Sequence, residues 1–400
     1  MRPQLPPRLA RLADRRPDQD SFSSRLHEQR TAAILGMALG VTFSICFLTG
    51  LISFLHQNPV SWFTIPPRPA GLYRVTQGLH VTTGIASIPL LLAKLWVVYP
   101  QFWTRPAVRD AAHLVERISL LPLVGGSVFL LFTGVINIAR WYSAMPFFFP
   151  VAHRWAAWMT MGALVVHVAA KWATTRQTLL RRGPAPPAEA GPAPGGLGRR
   201  GFLATVFGSS ALLAATTAGQ TLPVLRRLNL LSPRDLDVGT QGLPINRTAA
   251  EAGVVDLIDD PGYRLSVEGE VTRSLSLTVG ELRSRELSEA ELPIACVEGW
   301  SASARWRGIR VRDLLDEAGA SKDAVVRIES FEPRGLYGIS ELNRLQARDP
   351  DTLLALEVNG EALDADHGAP LRLIAPNRAG VEQTKWVNRL VVGERGVPRP

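Results

Sequence analysis

The chain has 400 residues, 46% apolar and 20% charged, with a net charge of +9 and two cysteines. That length exceeds one ordinary domain, and two cysteines exclude a disulfide scaffold. Much of the basic excess flanks apolar runs, where Lys and Arg fix membrane orientation, so nucleic acid is not the expected partner.

Residues 1–25, rich in Arg, Pro and Ser, are expected to be a disordered cytoplasmic tail. No apolar stretch follows the basic start closely enough for an N-terminal signal peptide. Four apolar runs follow, roughly 32–55, 75–99, 118–139 and 153–172, each near the ~20 residues that cross a bilayer. Together they predict a four-helix membrane domain over 26–176. Lys94, Pro89 and Pro122 interrupt two of the runs, which a buried bundle tolerates better than a lone span. Residues 177–200 read as a linker, with GPAPPAEAGPAPGGLG at 183–198. A fifth apolar helix is expected over 201–226, and a soluble, β-rich domain over 232–400.

The basic residues set an orientation. Arg30, Arg105, Arg109, Arg117, Lys171, Arg176 and Arg199 all fall on one side if the N-terminus is inside. Five spans then put the C-terminal domain outside the cell membrane. Arg226 and Arg227 stand against this rule.

Six of the seven histidines lie in the first 167 residues. Ionisable side chains within spans are costly and mark function. His153 and His167 are fourteen residues apart, which is about 21 Å along a helix and close to four whole turns. They share a face, one near each leaflet, a geometry suited to two stacked haems that each need two axial ligands. His80 falls near the outer side with His153, and Gly84 one turn later leaves room for a flat macrocycle. The HxxxG of the second run and H-x13-H of the fourth resemble the dihaem cytochrome b subunits of formate dehydrogenases and hydrogenases, over about residues 30–175. In that family the inner haem takes a ligand from the first span, where no histidine stands here. His113 or His27 could partner His167, and His56 is a spare outer candidate. Haem b, one or two per chain, is the implied cofactor.

Arg199-Arg200-Gly201-Phe202-Leu203 resembles a twin-arginine export signal. It is expected to stay uncleaved, leaving a tethering helix.

In the soluble half, YRLSVEGEVTRSLSLTVGELRS reads as strand, turn, strand and short helix. IACVEGWSASARWRGIRVRDLLDEAG reads as a strand end, Cys296 on a loop, and a helix from about Arg310. CVEGWS with W-x-G and VRDLL, together with LLALEVNGEALDADHGAPLRLIAPNRAGVEQTKWVNRLVV, resembles the sulfite-oxidase superfamily of molybdopterin enzymes over about 240–395. The string is most similar to the periplasmic methionine-sulfoxide-reductase type. The resemblance implies a sulfite-oxidase-type α+β, mostly-β fold, in which Cys296 supplies a thiolate to molybdenum and the pterin dithiolene supplies two more sulfurs. It also implies that His367 and Arg372 hold the pterin phosphate, that Lys385 adds charge, and that Asn246 lies in a pterin-contacting loop. Trp300 and Trp306 are expected to wall the entrance. Where the superfamily has a sulfite-specific Arg-rich loop, this sequence has none; Arg305 and Arg334 are candidate contacts for an anionic substrate. The extra dimerisation domain of sulfite oxidases is not expected, so a monomer is.

The expected protein is therefore a membrane-bound molybdopterin oxidoreductase that performs extracytoplasmic oxygen-atom transfer on a small molecule and exchanges electrons through haem b with the quinone pool or a cytoplasmic donor. Reduction of a sulfoxide-like substrate is the first expectation and oxidation of sulfite the second. A module that binds pterin without turnover and a plain haem electron relay are the non-enzymatic alternatives.

Overall fold

The computed structural model describes residues 24–60, 62–103, 110–180, 198–230, 239–333, 335 and 338–393. Most of the expected N-terminal tail, most of the Pro/Gly-rich linker, and Arg334 lie outside the described residues.

Five long helices form among the described residues: α1 (Gln29–Gln57), α2 (Leu72–Val98), α3 (Ala111–Ile138), α4 (Phe149–Leu180) and α5 (Arg199–Ala218). Among the described residues, four helical stretches are long and apolar enough to cross a membrane by length and composition: Gln29–Gln57, Leu72–Phe102, His113–Ile138 and Arg199–Ala218. Helix α4 is not among them, although the sequence marks its centre as a span. Its apolar run is diluted by His153, Arg154, His167 and Lys171.

The chain divides into two compact units, one of residues 1–47 and 82–215, the other of residues 48–81 and 216–400. In the first, Leu35, Leu39, Leu90, Leu91, Val97 and Val206 form the apolar core. Lys94, the cation inside a predicted span, donates to the carbonyl of Ala32 at 2.6 Å. That bond gives the half-buried ammonium a partner. Pro89 and Pro122 both sit inside helices, as expected of a packed bundle.

Among the described residues, the second unit holds two five-stranded sheets. The strands are β1 (Leu265–Gly269), β2 (Leu275–Leu277), β3 (Ser288–Ala295), β4 (Ser301–Arg310), β5 (Val326–Ser330), β6 (Ile339–Leu342), β7 (Leu353–Val358), β8 (Glu361–Ala362), β9 (Arg372–Ile374) and β10 (Val387–Val392). One sheet runs β2-β1-β10-β5-β6, with β1 and β10 parallel; the other runs β3-β4-β7-β8, with β9 also paired to β7. Alternate residues of β1 and β2 are buried, the signature of strands with one face on a core. A capped short helix, Val279–Arg283, follows β2 as the sequence predicts, with Thr278 and Glu281 completing a capping box. The helix Val311–Glu317 also starts where expected.

The same unit includes the end of α1 and the start of α2. The segment between them lies on the β domain. Arg68 pairs with Asp349 at 3.0 Å and with Asp351. Asn377 donates to the Pro66 carbonyl at 2.8 Å and accepts from the Tyr73 amide at 2.9 Å.

Candidate functional site

Cys296 stands at the tip of the β3–β4 hairpin. Ala295 pairs with Ser301, so Cys296–Trp300 is a five-residue loop, closed by Cys296 N donating to Trp300 O at 2.9 Å. Gly299 turns the loop with φ +100°, a conformation that glycine takes without strain. A Cβ there would also strike Val81 at 2.7 Å. Two N–H groups face the sulfur: the Asn246 side-chain amide at 3.2 Å and the Glu298 backbone at 3.5 Å. Donors aimed at sulfur favour the thiolate, the form that binds metal. The thiol itself is buried.

The loop that carries Asn246 continues into a basic network. Lys385 Nζ donates to the Arg247 carbonyl at 2.8 Å and to the Asp366 carbonyl at 2.5 Å. The next carbonyl, of His367, accepts from Arg372 at 3.0 Å. Arg372 is buried, lies 5.4 Å over the Trp306 ring, and has no carboxylate partner among the described residues. Its Nε has no hydrogen-bond partner there either. Burial lowers Arg372 to about 10 and Lys385 to about 7. A buried guanidinium with an unmet donor is built for an anion, and a phosphate supplies both the charge and the acceptor. His367 is neutral, lowered to about 4 chiefly by burial. Its Nε2 faces the Thr240 carbonyl at 2.7 Å. A carbonyl only accepts, so the ring donor is committed, and His367 serves the anion site through its own carbonyl, which holds Arg372.

A buried cysteine and a buried cationic site joined through the Asn246–Arg247 loop could together hold an anionic, metal-bearing cofactor. Residues 252–399 match the oxidoreductase molybdopterin binding domain family. The C-terminal domain belongs to the molybdopterin oxidoreductases of the sulfite-oxidase superfamily. Mitochondrial sulfite oxidase of Drosophila melanogaster is 31% identical over 168 residues, covering 35% of this chain and 29% of that one. The catalytic subunit of the protein-methionine-sulfoxide reductase MsrP from Campylobacter jejuni is 22% identical over 215 residues, covering 48% and 72%. The crystal structure of the sulfane dehydrogenase SoxCD from Paracoccus pantotrophus aligns at 22% identity with a TM-score of 0.33, covering 41% of this chain and 46% of that one. The chain thus spans less than a third of the length of the fly sulfite oxidase.

Within the molybdopterin domain, hydrogen bonds and chain neighbours link Cys296 and Asn246 to Lys385, His367 and Arg372. The family match begins after Asn246, so that residue joins the site by its contact with Cys296. The two tryptophans correct an expectation. Trp300 and Trp306 are fully buried and do not wall an entrance. Trp300 Nε1 donates to Glu298 at 2.9 Å, and Trp306 is the floor beneath Arg372. Both bring large apolar rings that the hairpin core buries. Arg305 is exposed on β4, and its backbone N–H donates to Asn359. Gln77, Thr221, Thr240 and Arg247 also shape the site. They were not legible as site residues, because their contacts to it run through backbone carbonyls far away in sequence.

The membrane-half histidines divide between the two units. His80 is partly buried in the second, its ring against Gly50, where a Cβ would come within 2.9 Å. Gly50 is the glycine that admits this ring; a Cβ on Gly84 would meet Cys46 Sγ at an ordinary 3.7 Å. His56 is buried there too, edge-on to Tyr73 at 4.9 Å. In the first unit, His153 Nδ1 lies 2.9 Å from Thr133 Oγ1, whose hydroxyl donates to the Phe129 carbonyl at 2.8 Å. His27 Nδ1 donates to the Val97 carbonyl at 3.0 Å. His113 lies in the first turn of α3, capped by Asp110, and His167 lies on α4.

Proposed function

We propose that this chain is a membrane-bound molybdopterin oxidoreductase that acts outside the cytoplasm and exchanges electrons with haem b held by its helices. The observation that carries the reading is the joint placement of Cys296 beneath two N–H donors and of Arg372, buried with an unmet donor, on one connected network. Cys296 would ligate molybdenum. Arg372 and Lys385 would hold the pterin phosphate, with Asn246 closing the site over the sulfur. When bound, molybdenum supplies two-electron oxygen-atom transfer. A sulfoxide takes up two electrons and two protons and leaves as sulfide and water.

His80, His153 and His167, with His113 or His27, are the candidate haem ligands. His80 stands on the same stretch of α2 as Gln77 and Val81, which lie against Val297 and Gly299 of the cysteine loop. This favours an enzyme coupled to the membrane over an inert tethered domain. The haem supplies one-electron steps, and the quinone pool or a cytoplasmic donor is the expected partner. Sulfoxide reduction is the first reading. Oxidation of sulfite is the second, favoured by 31% identity to a sulfite oxidase.

The deciding experiment is molybdenum and haem iron per chain on detergent-purified wild type and Cys296→Ala. About one molybdenum and one or two haems in wild type, with molybdenum lost from the variant, is the expected result. Haem without molybdenum overturns the enzyme reading in favour of an electron relay. Viologen-driven sulfoxide reduction and cytochrome-coupled sulfite oxidation then separate the two substrate readings.

A further inference from the structure

Gln77 is buried near the start of α2, and its side-chain amide donates to the Val297 carbonyl at 2.7 Å. Because a carbonyl only accepts, the atom facing it is the NH2 group. The Val297 carbonyl and the Glu298 N–H belong to one planar trans peptide group, on which they point in opposite directions. The far end of that peptide meets the sulfur: Glu298 N–H faces Cys296 Sγ at 3.5 Å. Gln77 therefore pins one end of the peptide whose other end touches the proposed molybdenum ligand. Thr221 holds the Gly299 carbonyl at 2.9 Å, and Val81 packs against Gly299, so the loop is also held just beyond that peptide.

Stability alone does not account for a glutamine here. Its Oε1 is buried with no hydrogen-bond partner among the described residues. An unmet buried acceptor costs on the order of 1–3 kcal/mol; methionine would remove it but strand the Val297 carbonyl instead, so the exchange is close to balanced.

We infer that Gln77 is a positioning residue for Cys296, acting through the Val297–Glu298 peptide to aim an N–H donor at the sulfur. The inference rests on the molybdenum reading of Cys296. An N–H···S bond draws electron density from a metal thiolate and stabilises its reduced state, so losing the bond lowers the reduction potential.

The test compares wild type, Gln77→Met, Gln77→Leu and Arg68→Ala as full chains in detergent. Arg68→Ala loosens the segment just before α2 without touching the cysteine loop. Both Gln77 variants are expected to keep their molybdenum and unfolding temperature while shifting the two-electron molybdenum equilibrium toward the oxidised state. The shift expected is about three- to tenfold, and tenfold corresponds to about 30 mV. Arg68→Ala is expected to leave the potential unchanged. Hydrogen exchange across 296–300, measured on protein with or without molybdenum, should quicken at the Glu298 amide in the Gln77 variants only. An unchanged potential with unchanged exchange overturns the inference, as does an equal shift in Arg68→Ala, which would mean general loosening. Wild type that contains no molybdenum would sink the cofactor reading alone, because the exchange measurement still decides whether Gln77 aims that amide.

Discussion

The side chain of Asn246 donates to the sulfur of Cys296 at 3.2 Å, across fifty residues of sequence. Such a donor favours a thiolate, and a carboxylate in its place would oppose one. Asn246→Asp is therefore expected to lower molybdenum per chain about tenfold under limiting supply, equivalent to about 1.4 kcal/mol. Asn246→Ala should lower it less, because it removes the donor without adding charge. Elemental analysis of purified protein checks this, and wild-type content in the Asp variant would refute it.

Arg372 makes opposite predictions for the loaded and the cofactor-free protein. Its guanidinium is buried over Trp306 with no acidic partner among the described residues, so without an anion it is a charge in an apolar setting. Exchanging such a group for an apolar one of similar size is often stabilising. Arg372→Met should raise the unfolding temperature of cofactor-free protein and abolish retention of pterin through purification. Pterin fluorescence after release, with a thermal melt, reads both. A destabilised variant that still carries pterin would show that Arg372 serves the core alone.

The β domain was legible because its signals are local. The period-two burial of β1 and β2, the capping box at Thr278, and the strand end before Cys296 all lie within short stretches. The site residues were legible only through family motifs, since nothing local to Lys385 or Asn246 announces that they share a network with Cys296. Trp306 read as a rim residue because large aromatics suit rims; the strand register instead turns it inward opposite Ala290. The docking of residues 65–81 on the β domain could not be read at all, because the partners of Arg68, Asn377 and Gln77 are set by tertiary structure.

Arg68 joins that segment to the β domain through a two-pronged pair with Asp349, whose side chain is nearly buried, and a further bond to Asp351. Exposed ion pairs contribute little, but this one leaves a buried carboxylate behind when broken. Arg68→Ala is expected to destabilise the second unit by about 1–2 kcal/mol and to speed protease cleavage near residue 65. Arg68→Ala combined with Asp349→Asn should recover part of the loss. A double variant no more stable than the single one would show that the exposed remainder of the contact, not the stranded carboxylate, sets the effect.

The last prediction concerns pH. His367 titrates near 4 and Lys385 near 7 in the fold, against ordinary values of 6.5 and 10.5, and burial is the main cause for both. In each case the unfolded chain binds its proton at a higher pH than the folded chain does. Stability therefore rises with pH wherever only the unfolded state is protonated. That window runs from about 4 to 6.5 for His367 and from about 7 to 10.5 for Lys385. Inside a window the gain approaches about 1.4 kcal/mol per pH unit for each group. Cofactor-free protein should thus melt at progressively higher temperature between pH 7 and 9.5, and Lys385→Met should remove that upper slope while leaving the His367 slope in place. A bound pterin phosphate gives Lys385 a counter-charge and lifts its titration toward the ordinary range. The loaded enzyme should then show a flatter profile above pH 7 than the cofactor-free protein. Equal slopes in loaded and cofactor-free wild type, both abolished in Lys385→Met, would mean that Lys385 is buried by the fold but does not face the phosphate.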